Sequence, residues 1–413
     1  MTTVASRLFV LAILLVGLLG CRDDLSARIT ALSEPTGARE SSLPALVSLI
    51  NAVEQERGLP RQLVLPQGPD ADNAAAAIAD CYSEQLHVRL TPVVAPLLRP
   101  DAANDLRAEF LAKHELLLSK TAAAMDLPRC QFDVGHEYGF FARMVYLDDV
   151  AMACRLRLVA ALTAASEKRG PEALNDVLRS LRLAHELSRV RNIDARVQAA
   201  TLRSESLAIA AALFRSGALG RHEAEQLYGK LRDQLSDWPS DRRMLVGERA
   251  VIIHAYEAIR ADMLSRLVTL EERRQLDSLG RFEALQSAPP DEIDADQVRY
   301  LKAIDQLLDV AERPHHGRLD AIDEALSIVN TAPTSFAATL FIDDLPEALR
   351  RVAEDRASVE AWTITLAAAG NLLTPPFREN SATGEEFTVE RGADEIIVAL
   401  DEINAVRLPI LDR

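Results

Sequence analysis

The sequence predicts an all-α protein, built as an irregular bundle or a solenoid-like stack of helical hairpins, with a small C-terminal β-hairpin. Apolar residues recur at helical spacing through most of the chain, and short Gly/Pro breaks separate the helical segments. Near the end, Glu386–Arg391 and Glu395–Leu400 are β-prone runs on either side of a turn that contains Gly392. The alternative for the second run is a final helix, since residues 399–406 tolerate one.

The first 21 residues carry the most specific pattern in the chain. Arg7 precedes an unbroken apolar run of 12 residues, Leu8–Leu19, which is followed by Gly20 and Cys21. As a helix this run spans roughly 18 Å, which is too short for a hydrocarbon core of ~30 Å. The pattern therefore predicts a cleaved signal peptide. Its last four residues, Leu-Leu-Gly-Cys, resemble the bacterial lipobox.

The lipobox resemblance implies that Cys21 is diacylated on its sulfur, typically with palmitate, and becomes the new N-terminus. Two or three acyl chains hold a protein stably on a membrane, whereas one holds it only marginally. We therefore expect a lipoprotein that is anchored to the bacterial cell envelope without spanning it. Arg22 follows the cysteine, where lipoproteins of the inner membrane often carry Asp, and this favours the outer membrane slightly. The alternatives are an ordinary secretory signal with a chance cysteine, or a true membrane helix.

We divide the chain into four parts. Residues 1–20 form the signal peptide, and residues 21–40 form a polar tether. Residues 41–370 form the helical domain, with a candidate subdomain break near 280–293 at the Pro289-Pro290 pair. Residues 371–413 form the C-terminal segment with the hairpin.

Charge and composition restrict the class of partner. The 413 residues carry a formal net charge of −16, and 48% of them are hydrophobic. That apolar content is enough for a sizeable core. Recognition of nucleic acid needs basic stripes, so an acidic chain of this kind indicates no nucleic-acid partner. The acidic surface also gives no electrostatic attraction to an anionic bilayer, so the lipid must provide the membrane contact.

Three cysteines remain after Cys21, in a compartment where disulfides persist: Cys81, Cys130 and Cys154. One disulfide and one free thiol is the simplest account, although a sequence does not define the pairing. We favour Cys81–Cys130, because Cys130 lies in a loop that can reach a preceding helix. Cys154 has the surroundings of a small buried hydrophobic residue.

Helix boundaries follow from caps and breakers. The predicted helices cover about 41–58, 72–92, 104–125, 138–168, 171–187, 195–215, 221 onward, 241–279, 294–311, 316–330 and 345–369. The first begins at the Ser41-Ser42 cap and buries Leu46 on its apolar face. The sequence shows no 34-residue period with the aromatic and proline positions of tetratricopeptide repeats, which favours the irregular bundle.

The helical hairpin around Gly170-Pro171 is predicted to be the stable centre of the fold. Gly170 is expected to cap the preceding helix and Pro171 to begin the next one. Leu174, Leu178 and Leu181 then lie on the buried stripe of the second helix, and Arg179 lies on its surface. The alternative is one kinked helix that continues through Pro171.

The mature part is similar to a group of all-helical exported bacterial proteins with no established activity. The similarity rests on Leu127–Asp133, which contains Pro-x-Cys-x-Phe, on the Gly170-Pro171 helix pair, and on Gly247–Ala250. It continues in Pro376-Phe377 and in the run from Gly384 to Leu400. Pro375 stands where the group usually has Asp before Pro-Phe. The resemblance implies a helical fold and no particular chemistry.

Four short clusters have residue types that are used in active or metal sites. The clusters are Cys130/Asp133/His136/Glu137, His254/Glu257 with Glu248 and Arg249, His315-His316, and Asp148-Asp149 with Arg155 and Arg157. Zinc accepts the S, N and O donors of the first, but a closed site needs four ligands, and a turn or capping role for Asp133 is favoured. For the second, a helix–helix salt bridge or a solvated face is favoured over acid–base chemistry. The third is interpreted as a solvated loop, and the fourth as an exposed helix face.

We therefore expect a non-enzymatic protein-binding or scaffolding module that is attached to a membrane through lipid on Cys21 and needs no cofactor. Stacked helical hairpins present surfaces that suit protein partners. The alternative is a hydrolase or metal-dependent enzyme whose site is assembled from distant residues. A concave pocket with several converging titratable groups would favour the enzyme, and a groove would favour the binding module.

The lipid anchor is tested by replacing Cys21 with Ser. Without the thiol no acyl chain is attached, so the variant should move from the membrane fraction to the soluble fraction. Cell fractionation followed by immunoblotting measures the distribution. Identical partitioning of the wild type and Cys21→Ser would contradict the lipobox interpretation.

Overall fold

The structure, a computed structural model, describes Leu46 and residues 72–132, 144–331, 335–373, 375, 377–400 and 404–411. These residues form fifteen α-helices and a small antiparallel sheet near the C-terminus, which confirms the predicted fold class. No helix in these ranges is both long enough and apolar enough to cross a bilayer. The predicted signal peptide with Cys21, the tether, and Asp133–Glu137 lie outside the described residues.

The helices are α1 Ala74–Ala79, α2 Glu84–Leu97, α3 Asn104–Lys113, α4 Glu115–Met125, α5 Val145–Ser166, α6 Gly170–Ser188, α7 Ile193–Arg215, α8 Arg221–Ser236, α9 Asp241–Arg260, α10 Leu264–Leu267, α11 Leu270–Ser278, α12 Arg281–Gln286, α13 Pro290–Val310, α14 Leu319–Val329 and α15 Leu345–Gly370. A 3₁₀ turn, His315–Arg318, precedes α14, and a π turn, Ala337–Phe341, precedes α15. The strands are β1 Thr388–Arg391, β2 Glu395–Ala399 and β3 Ala405–Pro409.

The predicted helical hairpin consists of α5 and α6, which lie antiparallel. Arg157 Nε donates to Asp176 Oδ1 over 2.9 Å, and Ser180 Oγ donates to the Cys154 carbonyl over 3.3 Å. Gly170 plays a different role from the predicted one. It is the first residue of α6 and not the cap of α5, and a Cβ at this position would lie 2.3 Å from the Ala218 carbonyl oxygen. Glycine is required there by close packing against the α7–α8 connection.

Several helix boundaries differ from the prediction. The single helix predicted over 72–92 is two helices, α1 and α2, because α1 ends at Ala79 and Ser83 caps the start of α2. α2 continues through Pro92, because burial of Leu90 and Val94 offsets the cost of an interior proline, about 3 kcal/mol. Residues 104–125 form two helices, since His114 leaves the helical region with φ −113° and ψ 20°. The long helix predicted to reach Leu279 ends at Arg260, shortly before Asp262 adopts a left-handed φ of 59°.

α7 and α15 connect the hydrophobic core clusters. α7 packs against α5 and α6 on one side and against α15 on the other. The first half of α15 packs with α9, α13 and α14, and its second half packs with α7, α8 and the sheet. Leu46 is fully buried in the first of these clusters, as its place on the predicted apolar face requires.

The C-terminal hairpin is confirmed, and a third strand extends it. β1 pairs with β2 in antiparallel register, from Thr388 opposite Ala399 to Arg391 opposite Ile396. β3 pairs with the other edge of β2, so residues 405–409 are strand and the alternative of a final helix is wrong. Ile396, Val398, Val406 and Leu408 are buried against the helices.

The predicted surface of α6 is partly wrong. Leu174 and Leu181 are buried as expected, but Leu178 is only half-buried at the edge of the core. Arg179 is not a neutral surface residue, because its guanidinium ion-pairs with Asp126 at 2.6 Å and with Asp176 at 2.9 Å. Because α5, α7 and α8 all contact α6, its buried residues extend well beyond a single stripe.

Leu174 and Leu178 provide a matched test of the hairpin, since they lie one turn apart on α6. Leu174→Ala should destabilise the protein by about 2–5 kcal/mol, because a fully buried leucine leaves a cavity. Leu178→Ala should lower the free energy of unfolding by clearly less, because Leu178 is only half-buried. Urea unfolding followed by circular dichroism measures both. Equal losses at the two positions would contradict the packing described here.

Candidate functional site

A groove of about 1040 Å³ lies between α7 and α15 and is closed at its ends by the 3₁₀ turn, residues 380–383 and β3. We call it the α7–α15 groove. Its floor includes Leu207, Ala357 and Trp362, and Arg351 and Glu354 lie among its polar lining residues. The groove is therefore amphipathic.

Small side chains on α7 leave room for the groove. Ala200, Ser204 and Ala208 follow one another at a spacing of four, which places them on one face of the helix. All three line the groove, and Ser204 and Ala208 are exposed. Because none of these side chains extends far, the space above this face of α7 stays open to an incoming group.

Hydrogen bonds fix the loop that forms the end of the groove. The Ser381 amide donates to Glu360 Oε2 of α15 over 3.2 Å, and the His315 amide donates to the Ser381 carbonyl over 3.3 Å. Asn380 Nδ2 donates to the Leu400 carbonyl over 2.9 Å, which ties the same loop to the sheet. The end wall is thus held by both α15 and the C-terminal segment.

Buried ion pairs hold the two walls of the groove together. Arg203 of α7 is fully buried, and its Nη1 donates to Asp355 Oδ2 of α15. Its guanidinium also lies 4.8 Å from the ring centroid of Trp238. One face of α7 therefore holds a cation between a carboxylate and an aromatic ring, and this contact sets the separation of α7 from α15.

A second buried arginine lies two turns earlier on α7. Arg196 Nη2 is 2.6 Å from Asp241 Oδ1 at the start of α9, and Arg318 Nη1 is 2.8 Å from Asp241 Oδ2. Asp241 therefore links α7, α9 and the 3₁₀ turn that forms one end of the groove. The burial of these charges favours a fixed geometry, because separating any one of them would leave a buried charge without its partner.

Burial shifts the pKa of two groups near the groove. Burial lowers the pKa of His315, and the charge of Arg318 lowers it further, so this ring is neutral near pH 7. Burial raises the pKa of Glu360, although the Ser381 amide and Arg356 partly oppose the shift. Both residues hydrogen-bond to Ser381 in the end wall of the groove.

Ion pairs also engage the charged side chains along the rim. Glu205 accepts from Arg155 at 2.7 Å, and Arg350 pairs with Glu347 at 2.7 Å and with Glu354. The arrangement offers apolar contact, hydrogen bonds and a balanced charge to another chain. Within the described ranges, no group of three or more His, Cys, Asp or Glu residues is placed to hold a metal ion.

The candidate cysteines lie near α1 and α5 and not at the groove. Cys81, Cys130 and Cys154 are free thiols in the structure. Burial raises the pKa of Cys130 to about 12 and also raises the pKa of Cys81 and Cys154, so the thiolate form of each is disfavoured. Asp133, His136 and Glu137, grouped with Cys130 in the sequence, lie outside the described residues. The Cys81–Cys130 disulfide stays a prediction.

The other three clusters are more buried than the sequence indicates. Asp149 is buried and lies 2.6 Å from His87 Nε2 of α2, so the exposed-face interpretation is wrong for Asp149, whereas Asp148 is exposed. His254 and Glu257 are buried in α9, which excludes the solvated face. His315 is buried, and only His316 is exposed, so the solvated-loop interpretation is wrong for the first of the two.

Other side chains from the four sequence clusters connect helices to one another. Arg249 Nη1 donates to Asp305 Oδ1 over 3.0 Å, which joins α9 to α13. Arg155 forms an ion pair with Glu205 of α7, and Arg157 forms one with Asp176 of α6. Burial raises the pKa of Glu248 to about 7, and the charge of Asp194 raises it further. Apart from the Arg155–Glu205 pair at the groove rim, these groups lie away from the groove.

Sequence reasoning missed Arg196 and Arg203, although a signal is present. The two arginines are seven residues apart, on the same helical face as Ala199, Leu202 and Ser206. Two arginines on a helical face that otherwise carries apolar and small residues predict buried ion pairs. Burying a charge without a partner costs too much free energy for either to be left alone. The partner carboxylates, 45 and 152 residues further along the chain, have no such signal.

Comparison with known proteins gave no match to any protein-family model, curated protein or solved structure.

The Arg203–Asp355 pair is tested by substitution. Asp355→Asn should destabilise the protein by about 3–5 kcal/mol, because the Arg203 charge stays buried without its counter-ion. Glu354→Gln, at the adjacent exposed position, should change stability by less than about 1 kcal/mol. Chemical denaturation measures both variants. The double variant Arg203→Met/Asp355→Leu should recover most of the loss, and a double variant no more stable than Asp355→Asn would contradict the ion-pair explanation.

Proposed function

We propose that the protein is a lipid-anchored, non-enzymatic binding module of the bacterial cell envelope, and that the α7–α15 groove is the surface on which it holds a partner protein. The observation that carries the proposal is the groove itself. It combines an apolar floor, small side chains on one wall and ion pairs along the rim. Such a surface provides contact area and hydrogen bonds for a chain laid along it.

The proposed occupant is an extended segment of the partner that carries apolar side chains and little net charge. Four arginines and three carboxylates line the groove, so its charge is nearly balanced and favours a neutral segment. β3 is an edge strand of the sheet, and Ala405, Val406 and Arg407 line the groove. The exposed main chain of an edge strand can pair with an extended segment, and the neighbouring apolar floor then receives alternate side chains.

The lipid on Cys21 attaches this module to a membrane, and the Arg22 that follows favours the outer membrane. The lipobox pattern supports the anchor, and the acidic composition supports a role for lipid in place of surface charge. The anchor restricts the partner to proteins that reach the same membrane surface.

Blocking the groove tests the proposed function. A photo-reactive amino acid at Ser204, with irradiation of intact cells, should give an adduct whose α7 peptide is joined to a partner protein. Ala208→Arg, one turn further on, should reduce the adduct roughly tenfold, because the long charged side chain fills the groove. Ala284→Arg, at an exposed position of α12, is the matched control and should have no effect. Equal adduct yields in the two variants, with both folded by circular dichroism, would contradict the proposal.

A further inference from the structure

A second cleft, of about 960 Å³, lies on another face of the molecule. It is bordered by the α6–α7 connection, the α8–α9 connection and the first turns of α9. Four arginines line it, Arg189, Arg191, Arg242 and Arg243, and we call it the arginine cleft. Only two carboxylates, Asp237 and Glu312, line the same space. The cleft therefore carries excess positive charge in a chain whose net charge is −16.

Both carboxylates of the arginine cleft already have partners. Asp237 ion-pairs with Arg189. Glu312 Oε1 accepts a hydrogen bond of 2.6 Å from Ser240 Oγ, a neutral donor, so the charge of Glu312 offsets that of one arginine in the cleft. Arg242 Nη1 donates over 3.0 Å to the Leu308 carbonyl, a neutral acceptor that leaves its charge uncompensated.

The two remaining arginines have no counter-ion in the described part of the chain. Neither the Arg191 nor the Arg243 guanidinium forms an ion pair or hydrogen bond with any described residue. They are also close enough to repel each other. Burial lowers the pKa of Arg191, and the positive charge of Arg243 lowers it further. Two neighbouring cations that share a cleft are destabilising until an anion joins them.

The beginning of α9 adds to the positive field. The N-terminus of a helix carries a partial positive charge, which basic side chains in the first turn reinforce. Arg242 and Arg243 occupy this first turn. Asp241, the acidic residue of the same turn, is engaged by Arg196 and Arg318 and does not neutralise them.

We propose that the arginine cleft binds a phosphoryl group on a small organic molecule or on a lipid headgroup. Guanidinium groups donate paired hydrogen bonds to phosphoryl oxygens. Two of them match the charge of a phosphate monoester dianion and exceed the single negative charge of a phosphodiester headgroup. The volume exceeds that of inorganic phosphate alone. Val190, Trp238, Met244 and Val246 line the rest of the cleft and supply an apolar wall for the organic part.

The test uses the full chain with Cys21→Ser, in buffer free of phosphate, and isothermal titration calorimetry with glycerol 3-phosphate. We expect saturable binding at one site. Arg191→Gln and Arg243→Gln should each weaken it roughly tenfold or more, the loss that follows from one charged hydrogen bond. Arg274→Gln, an exposed arginine of α11, is the matched control and should leave the affinity unchanged. No binding, or binding that neither cleft variant weakens, would overturn the proposal for soluble phosphate esters.

A flotation experiment distinguishes the two sources of the phosphoryl group. The same protein is mixed with vesicles of phosphatidylcholine that contain phosphatidylglycerol, with and without glycerol 3-phosphate as competitor. Flotation that glycerol 3-phosphate and Arg191→Gln both abolish assigns the cleft to a headgroup. Calorimetric binding without flotation assigns it to a soluble ester. Failure in both experiments overturns the proposal.

Thermal unfolding without phosphate provides an independent readout. Because Arg243 repels Arg191, Arg243→Gln should melt at or above the temperature of the wild type. A clearly lower melting temperature would show that Arg243 has a structural partner, and would overturn its assignment as a ligand group.

Discussion

Arg203 is fully buried in α7 and is held by Asp355 of α15 on one side and by the Trp238 ring on the other. Taking a guanidinium out of water is costly, and the cost is recovered only while its counter-ion stays in place. The separation of α7 and α15 is therefore fixed by a charge as well as by apolar packing. Because those helices form the walls of the α7–α15 groove, the groove depends on the same pair.

Buried and half-buried arginines recur across this fold. The chain has 41 arginines and only five lysines. Links between helices are made by Arg157 with Asp176, Arg196 with Asp241, Arg249 with Asp305 and Arg260 with Asp294. Arginine suits this use because its planar guanidinium donates several hydrogen bonds from one fixed geometry and stays charged when buried. Three of these four pairs join helices that are not consecutive in the chain.

The difference between the groove and the arginine cleft follows from where the counter-ions are. Along the groove, four arginines are offset by three carboxylates, so the surface is nearly neutral and suits a neutral polypeptide segment. In the arginine cleft, Asp241 is turned toward the core, and Arg191 and Arg243 keep their charge toward the cleft. Asp241 thus stabilises the fold beneath the groove. Because its charge is paired there, the beginning of α9 stays electropositive.

The sequence by itself determined the fold class, the α5–α6 hairpin, the paired strands β1 and β2, and the expectation that Cys21 carries lipid. These features depend on local patterns, namely helical periodicity, Gly/Pro breaks and a short apolar run. Only the tertiary structure decided that Asp149 and His315 are buried, that Leu178 is half-buried, and that a third strand follows. No pattern in the sequence indicated the groove or the arginine cleft either. Each is formed by residues of several elements that lie far apart in the sequence, and Val197 and Arg407 of the groove are 210 positions apart. Local periodicity carries no information about which helices become neighbours.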